Sequence, residues 1–187
     1  GVLDETVRRP LKSPAGDRLV TLYNTRAAAP QFQALSYPDY TALCDGLEPR
    51  LALAAFVRVF HALDAGGRVT RLQGELVSGN YFSVLGARPA RGRLIAPADD
   101  ANGAPPVMVI SYGLWRDGFG SAPDIAGHTM RVDRREYTVV GVAAPEFQSP
   151  SYSSQFWIPL ARAQHAFGGL DVLHRAEAVV HEEDRRE

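Results

Sequence analysis

Cysteine is almost missing from this chain: Cys44 is the single thiol in 187 residues. One thiol closes no internal disulfide and builds no cysteine metal site. Cysteine usage therefore leaves the compartment open. Lysine is equally scarce, with Lys12 standing against nineteen arginines. Those arginines are scattered along the chain, so the bias reads as genomic base composition rather than phosphate recognition. Neither sign of charge dominates: the net charge is -1 and the pI about 6.6. A basic excess for nucleic acid and an acidic excess for a cationic partner are both lacking. No apolar run reaches the ~18–20 residues of a membrane helix, and no signal peptide is visible. The start at Gly1-Val2-Leu3 reads as that of a segment cut from something longer. Internal repeats and low-complexity blocks are missing too.

Catalytic signatures are equally thin. A nucleophile elbow needs Gly-x-Ser-x-Gly between strand and helix; Ser78-Gly79-Asn80 and Ser111-Tyr112-Gly113 only approach it. Ser111 is the nearest candidate nucleophile, and its position before a helical stretch reads first as an N-cap. No phosphate-cradling glycine loop occurs. Gly118-Phe119-Gly120 follows a helical stretch and stops it, so ATP has no site here. The five histidines, His61, His128, His165, His174 and His181, form no metal-ligand pair. Asp99-Asp100 offers an acid and a base or two metal oxygens, but two adjacent carboxylates in a polar loop read first as a turn. The sequence therefore assigns no catalytic, cofactor-binding or metal residue and calls for no cofactor.

What is present is an ordinary globular composition, 45% hydrophobic and 22% charged, in a chain long enough to fold without staples. Residues 1–16 read as irregular, 19–24 as a buried strand and 25–35 as an Ala/Pro/Gln-rich linker. Ser36 and Asp39 have the spacing of a capping box, and a helix with Tyr40, Leu43, Cys44 and Leu47 at helical spacing follows, ended by Gly46. Residues 53–63 alternate: Phe56, Arg58 and Phe60 face one way, Val57, Val59, His61 and Leu63 the other. The turn Ala65-Gly66-Gly67-Arg68 leads into a second strand, 69–77, with Val69, Arg71, Gln73, Glu75 and Val77 on one face. Asn80–Leu85 reads as a helical turn closed by Gly86, and 92–95 as a short extended piece. Asp99–Pro106 is a polar loop, Val107–Ile110 an apolar strand and Tyr112–Phe119 a helix capped by Ser111. Thr129–Val132 and Tyr137–Val142 pair around Asp133-Arg134-Arg135-Glu136, a turn without glycine and hence long or strained. Phe156–Leu160 is a last apolar segment, and His181–Glu187 a charged, solvated end. Tyr81, Phe82, Trp115, Phe119, Phe147, Phe156 and Trp157 sit at element ends and are expected to pack a core.

Taken in order, SYPDYTAL (36–43), VSGNYFSVLGARPARGRLI (77–95), PADD (97–100), PPVMVISYGLWRDGFG (105–120), GHTMRVDRREYTVVGV (127–142) and FWIPL (156–160) closely resemble the MacB-like periplasmic core domain of FtsX-type ABC transporter permeases. The resemblance covers about 17–162. It implies an α+β fold with a porter-like layer near the membrane and a smaller β-rich appendage at roughly 107–160. It implies a layout of a juxtamembrane segment at 1–16, the core domain at 17–165 and an atypical charged tail at 166–187, where the family's closing strand and helix are not matched. It further implies a place on the periplasmic, extracytoplasmic side of the cytoplasmic membrane, anchored through the rest of the protein. There it would couple ATP-driven motion to efflux, export or mechanotransmission. The implied partners are a cytoplasmic ABC ATPase, an adaptor or outer-membrane protein, and a second copy in a homodimer; nucleic acid is not among them. Two rival readings stand beside it: a free-standing extracytoplasmic module that binds a ligand or peptide in a concave pocket, and a hydrolase using Ser111 with Asp99 or Asp100 and a histidine.

Overall fold

The computed structural model describes residues 19–22, 24–26, 29–33, 37–46, 51–65, 67–160 and 177–182. The 1–16 segment, Ser36, Gly66, His165 and His174 lie outside them. The longest element, strand β4 (Leu51–Ala65), runs antiparallel to β5 (Arg68–Val77) from Phe56↔Val77 to Ala65↔Arg68, the hairpin expected from the alternation. Four more strands close a ring on this hairpin. They are β7 (Val107–Ile110), β8 (Thr129–Val132), β9 (Arg135–Ala143) and β10 (Phe156–Pro159). The hydrogen-bonded path runs β4-β5-β10-β7-β9-β8 and returns to β4 through Leu63↔Val132 and Asp64↔Arg131.

Period-two alternation builds the two cores that this ring separates. Val57, Val59, Leu76, Met108, Ile110 and Phe156 point inward and form one apolar cluster with Trp115 and Ile125. Their neighbours in sequence, Phe56, Val77, Val109 and Trp157, point outward and form a second. That outer face is covered by the short helix α2 (Tyr81–Val84) and by Leu85 and Ile95. Tyr81, Phe82, Phe147 and Trp157 meet there with ring centroids 5.3–5.6 Å apart, so the expected aromatic packing is present. Each such side chain contributes about 1.5–3 kcal/mol by leaving water, which makes the two faces of the ring the main source of stability.

An open sheet extends from the first half of β4. Strand β11 (Glu177–Glu182) pairs with Leu51–Phe56, and β1 (Leu19–Leu22) pairs with β11. From its sequence the 166–187 stretch is expected to lack the closing strand and to be solvated from His181 onward. Glu177–Glu182 corrects this expectation, because Ala178-Val179-Val180 supplies a short β-forming run inside the charged stretch. The 25–35 stretch is likewise not a bare linker: β2 (Asn24–Arg26) and β3 (Ala29–Gln33) form a separate two-stranded sheet. Helix α1 (Tyr37–Gly46) ends at Gly46 as expected and lies against β4, where Tyr40 Oη donates to Leu53 O at 3.4 Å. The 107–160 region has no sheet of its own, since its strands share one sheet with β4 and β5.

Two irregularities set the shape of the ring. Met108 pairs with Val139 but Val109 with Gly141, so Val140 is an extra residue in β9 and the strand bends there. Strand β6 (Pro89–Gly92) then pairs with β9 beyond the bulge, at Gly141–Ala143, while β8 uses the same edge before it, at Arg135–Thr138. The second irregularity is the β8–β9 turn, Asp133-Arg134, where both residues take positive φ, 46° and 71°. This is the strain expected of a tight hairpin turn without glycine. Replacing Arg134 with glycine is therefore expected to stabilise the chain by about 0.5–1 kcal/mol in denaturant titration; a loss of stability would contradict the strained turn.

Candidate functional site

The side chains with chemical potential are tied into the scaffold one by one. Ser111 Oγ accepts from Leu114 N at 3.1 Å, the N-cap bond of α3 (Tyr112–Phe119), and Gly120 ends that helix in the left-handed conformation. Ser111→Ala should cost about 1 kcal/mol in unfolding free energy, as the loss of a cap does. A hydrolytic activity that disappears with stability intact would contradict that role. Ser78 stitches β4 to the start of α2: its Oγ accepts from Ala55 N at 3.0 Å and donates to Asn80 Oδ1 at 2.8 Å.

Asp99 and Asp100 face different partners. Asp99 is buried, receives both guanidinium NH groups of Arg93 at 2.6 and 2.9 Å, and accepts from Ala96 N at 2.9 Å. Asp100 Oδ2 accepts from Gly79 N at 3.1 Å. Asp99 thus ties the 3-10 turn Pro97–Asp100 to Arg93 and Ala96, and Asp100 ties it to the loop before α2, which fits the turn reading and not an acid–base pair. The Arg93 guanidinium, with help from Ala96 N–H against the cost of burial, holds the Asp99 carboxyl below its ordinary value. A depressed folded pKa gives stability that is complete above the unfolded value, about 4, and is lost as pH falls through the folded one. Asp99→Asn should thus be less stable than the parent at pH 7, the gap closing on acidification below about 4. A gap that stays constant with pH would show that the charge of Asp99 contributes nothing.

Of the histidines, His61 lies on the inward-facing set of β4, half-buried, and its Nδ1–H donates to Asp133 Oδ2. Asp133 Oδ1 also accepts from Ala62 N at 3.0 Å, and Asp133 N donates to Ala62 O at 3.0 Å. The β8–β9 turn is in this way clamped onto β4, which reinforces the closure made by the β4–β8 pairing. His128 is exposed and bonds to Asp124 O at 2.8 Å, and His181 lies in β11. Among the described residues, no group of three His, Cys, Asp or Glu side chains comes together to hold a metal.

The polar centre that the sequence reading did not single out is Glu75. It is completely buried on the outward face of β5, and its Oε2 accepts from Tyr81 Oη at 2.6 Å and Trp157 Nε1 at 2.8 Å. Burial first, and the Glu75 charge second, push the Tyr81 phenol well above its ordinary pKa, so it remains a donor throughout the physiological range. The carboxylate pins α2 to β5 and β10. The available signal was positional: Glu75 shares a face with Val77, next to two aromatics that carry polar handles.

Concave regions lined by described residues include two. One, of about 310 Å³, is formed by Gly86, Ala87, Arg88, Ala144, Glu146 and Phe147. The other, of about 420 Å³, lies between the tips of the β4–β5 and β8–β9 hairpins. No described helix is long and apolar enough to cross a membrane.

Comparison with known proteins agrees with this architecture. The profile of the family described as MacB-like periplasmic core domain matches residues 3–182. No curated protein matches the chain. The periplasmic region of MacB from Actinobacillus actinomycetemcomitans superposes with a TM-score of 0.71 at 18% identity, over 92% of this chain and 78% of that one. The extracellular domain of the noncanonic ABC-type transporter YknZ from Gram-positive bacteria gives 0.66 at 17% identity, over 88% and 83%. A domain of a putative permease protein from Porphyromonas gingivalis gives 0.67 at 16% identity, over 94% and 79%. At these identities the structural likeness speaks for the fold.

Proposed function

This chain belongs to the family of MacB-like periplasmic core domains, and from that premise we propose that it is the extracytoplasmic lever of an ABC permease. Domains of this family are extracytoplasmic parts of permeases that work with a cytoplasmic ATPase. The finer reading is that this chain couples ATP-driven movement of the membrane part to efflux, export or mechanical signalling. In it, residues 1–16 follow a first membrane helix, two copies pair in the permease, and a periplasmic adaptor or outer-membrane protein receives the motion. The observation that carries this reading is the family match over 3–182. The closed ring supports it, because a unit locked by Glu75, by the Asp133 clamp and by a continuous core can pass on a hinge motion without changing shape. The scaffold roles of Ser111, Asp99 and Asp100 weigh against the hydrolase reading.

The native gene on both sides of this segment tests the proposal. An apolar run of ~20 residues before Gly1 and about three more downstream are expected. Stop codons bracketing the segment, with only a cleavable signal ahead, would contradict it and favour a free-standing binding module of the same fold.

A further inference from the structure

Four large apolar side chains are exposed among the described residues, and Phe60, 57% exposed, and Val69, 64% exposed, are two of them. Both stand on the outward face of the β4–β5 hairpin. Down that face the cross-strand pairs run Phe60↔Gln73, Ala62↔Arg71 and Asp64↔Val69, and Arg131 of β8 follows opposite Asp64. A third exposed apolar side chain, Tyr152, adjoins this row, because its neighbour Ser153 donates to Gln73 Oε1 at 2.9 Å. The 420 Å³ groove lies on the same surface, bounded by Ala62, Asp64, Val69, Arg131, Asp133 and Arg134.

Charge on this surface is unbalanced in one direction. Each acidic group has an internal partner: Asp64 accepts from Gly67 N at 2.8 Å, Asp133 from His61 and Ala62 N, and Glu136 from Arg131 at 2.9 Å. Arg71 and Arg134 have none among the described residues, and both are exposed. Two free guanidinium groups therefore flank an apolar strip whose carboxylates are already used. A guanidinium fork matches a carboxylate, and exposed apolar side chains in a groove match an apolar one.

We propose that this hairpin face is a docking site for an acidic, apolar segment of a partner protein, with Arg71 and Arg134 taking its carboxylates and Phe60 and Val69 its apolar side chains. The inference rests on the permease reading, in which the extracytoplasmic part acts on a protein partner. It names the chemistry of that partner and the surface it uses.

The test is fluorescence anisotropy of the 187-residue chain with a labelled peptide of about a dozen residues alternating Glu with Leu. Saturable binding is expected, weakening as salt is raised. The double variant Arg71→Glu/Arg134→Glu should weaken it at least tenfold (about) and Arg71→Gln alone about threefold, as loss of a charged contact does. Phe60→Ser should also weaken it, whereas Arg88→Glu, beside the other concave region, should leave it unchanged. Absence of saturable binding, equal binding of a Lys/Leu peptide, or affinity indifferent to Arg71 and Arg134 would overturn the proposal. So would binding of phosphatidylglycerol vesicles that excludes the peptide, which would make the surface a membrane contact. A gene with flanking membrane helices and no peptide binding sinks the docking site alone; peptide binding without flanking helices sinks the permease reading alone.

Discussion

Glu75→Ala is expected to lower the unfolding free energy by about 3–5 kcal/mol, because two buried donors, Tyr81 Oη and Trp157 Nε1, lose their common acceptor. For a domain of this size, that is a fall in melting temperature of about 10 °C or more. The size of the effect follows from burial: each orphaned donor costs about 1–3 kcal/mol, whereas an exposed pair of this kind would cost little. Glu75→Gln keeps an acceptor oxygen in place and should lose only about 1–2 kcal/mol. Combining Glu75→Ala with Tyr81→Phe should cost less than the sum of the single losses, since the second change removes one of the orphaned donors. Calorimetry or urea titration reads all three. A Glu75→Ala chain within about 1 kcal/mol of the parent would show that the carboxylate does not hold α2 to the sheet.

Gly141→Ala is expected to be at least as damaging. A Cβ at Gly141 would stand 2.1 Å from Arg93 O, 2.7 Å from Arg91 O and 2.8 Å from Arg93 N. All three are backbone atoms of β6 and the residue after it, so no side chain can swing away. Relief requires β6 to separate from β9, which breaks the Arg91↔Val142 and Gly92↔Gly141 pairing and the Arg93 N to Val140 O bond at 2.9 Å. A loss of about 4 kcal/mol or failure to fold is expected, the range of severe backbone overpacking. Hydrogen exchange at residues 89–93 should be the first to accelerate. Gly113→Ala is the control: it lies in α3 with nothing closer than Ser111 Oγ at 4.0 Å, and should be neutral or slightly stabilising. Equal stability of the two variants would contradict the close approach of β6 at the bulge.

What could be read from the sequence was local. The two faces of 53–63 and 69–77 were legible because a strand facing two cores alternates with period two, and Val57 and Phe56 do part to opposite sides of the ring. Ser111, Gly120 and the glycine-free turn at Asp133-Arg134 were legible because caps and turns are set by a few adjacent residues. Ring closure was not, since it depends on β8 pairing with the distant β4, helped by Asp133 reaching Ala62 and His61, 71 and 72 positions away. The bulge at Val140 was hidden because Tyr137–Val142 reads as one continuous strand. Strand β11 was concealed by the charges that flank Ala178-Val179-Val180, and β2–β3 by an Ala/Pro/Gln composition with no alternation. The resemblance marked out the family. It did not show that the expected appendage shares its sheet with β4 and β5, or that a buried glutamate joins the layers.

The central claim is that this unit moves as one body when a cytoplasmic ATPase turns over. The direct measurement is electron–electron distance spectroscopy on the full-length permease with its ATPase, in lipid nanodiscs. Cys44, which is exposed, is replaced by serine, and spin labels are attached at the exposed positions Asn102 and Asp124. The account predicts an Asn102–Asp124 distance within one copy that is the same with and without ATP. It also predicts an Asn102–Asn102 distance between copies that shifts by several ångström when ATP is trapped. An intermolecular distance that ignores nucleotide, or an intramolecular one that follows it, would contradict the claim.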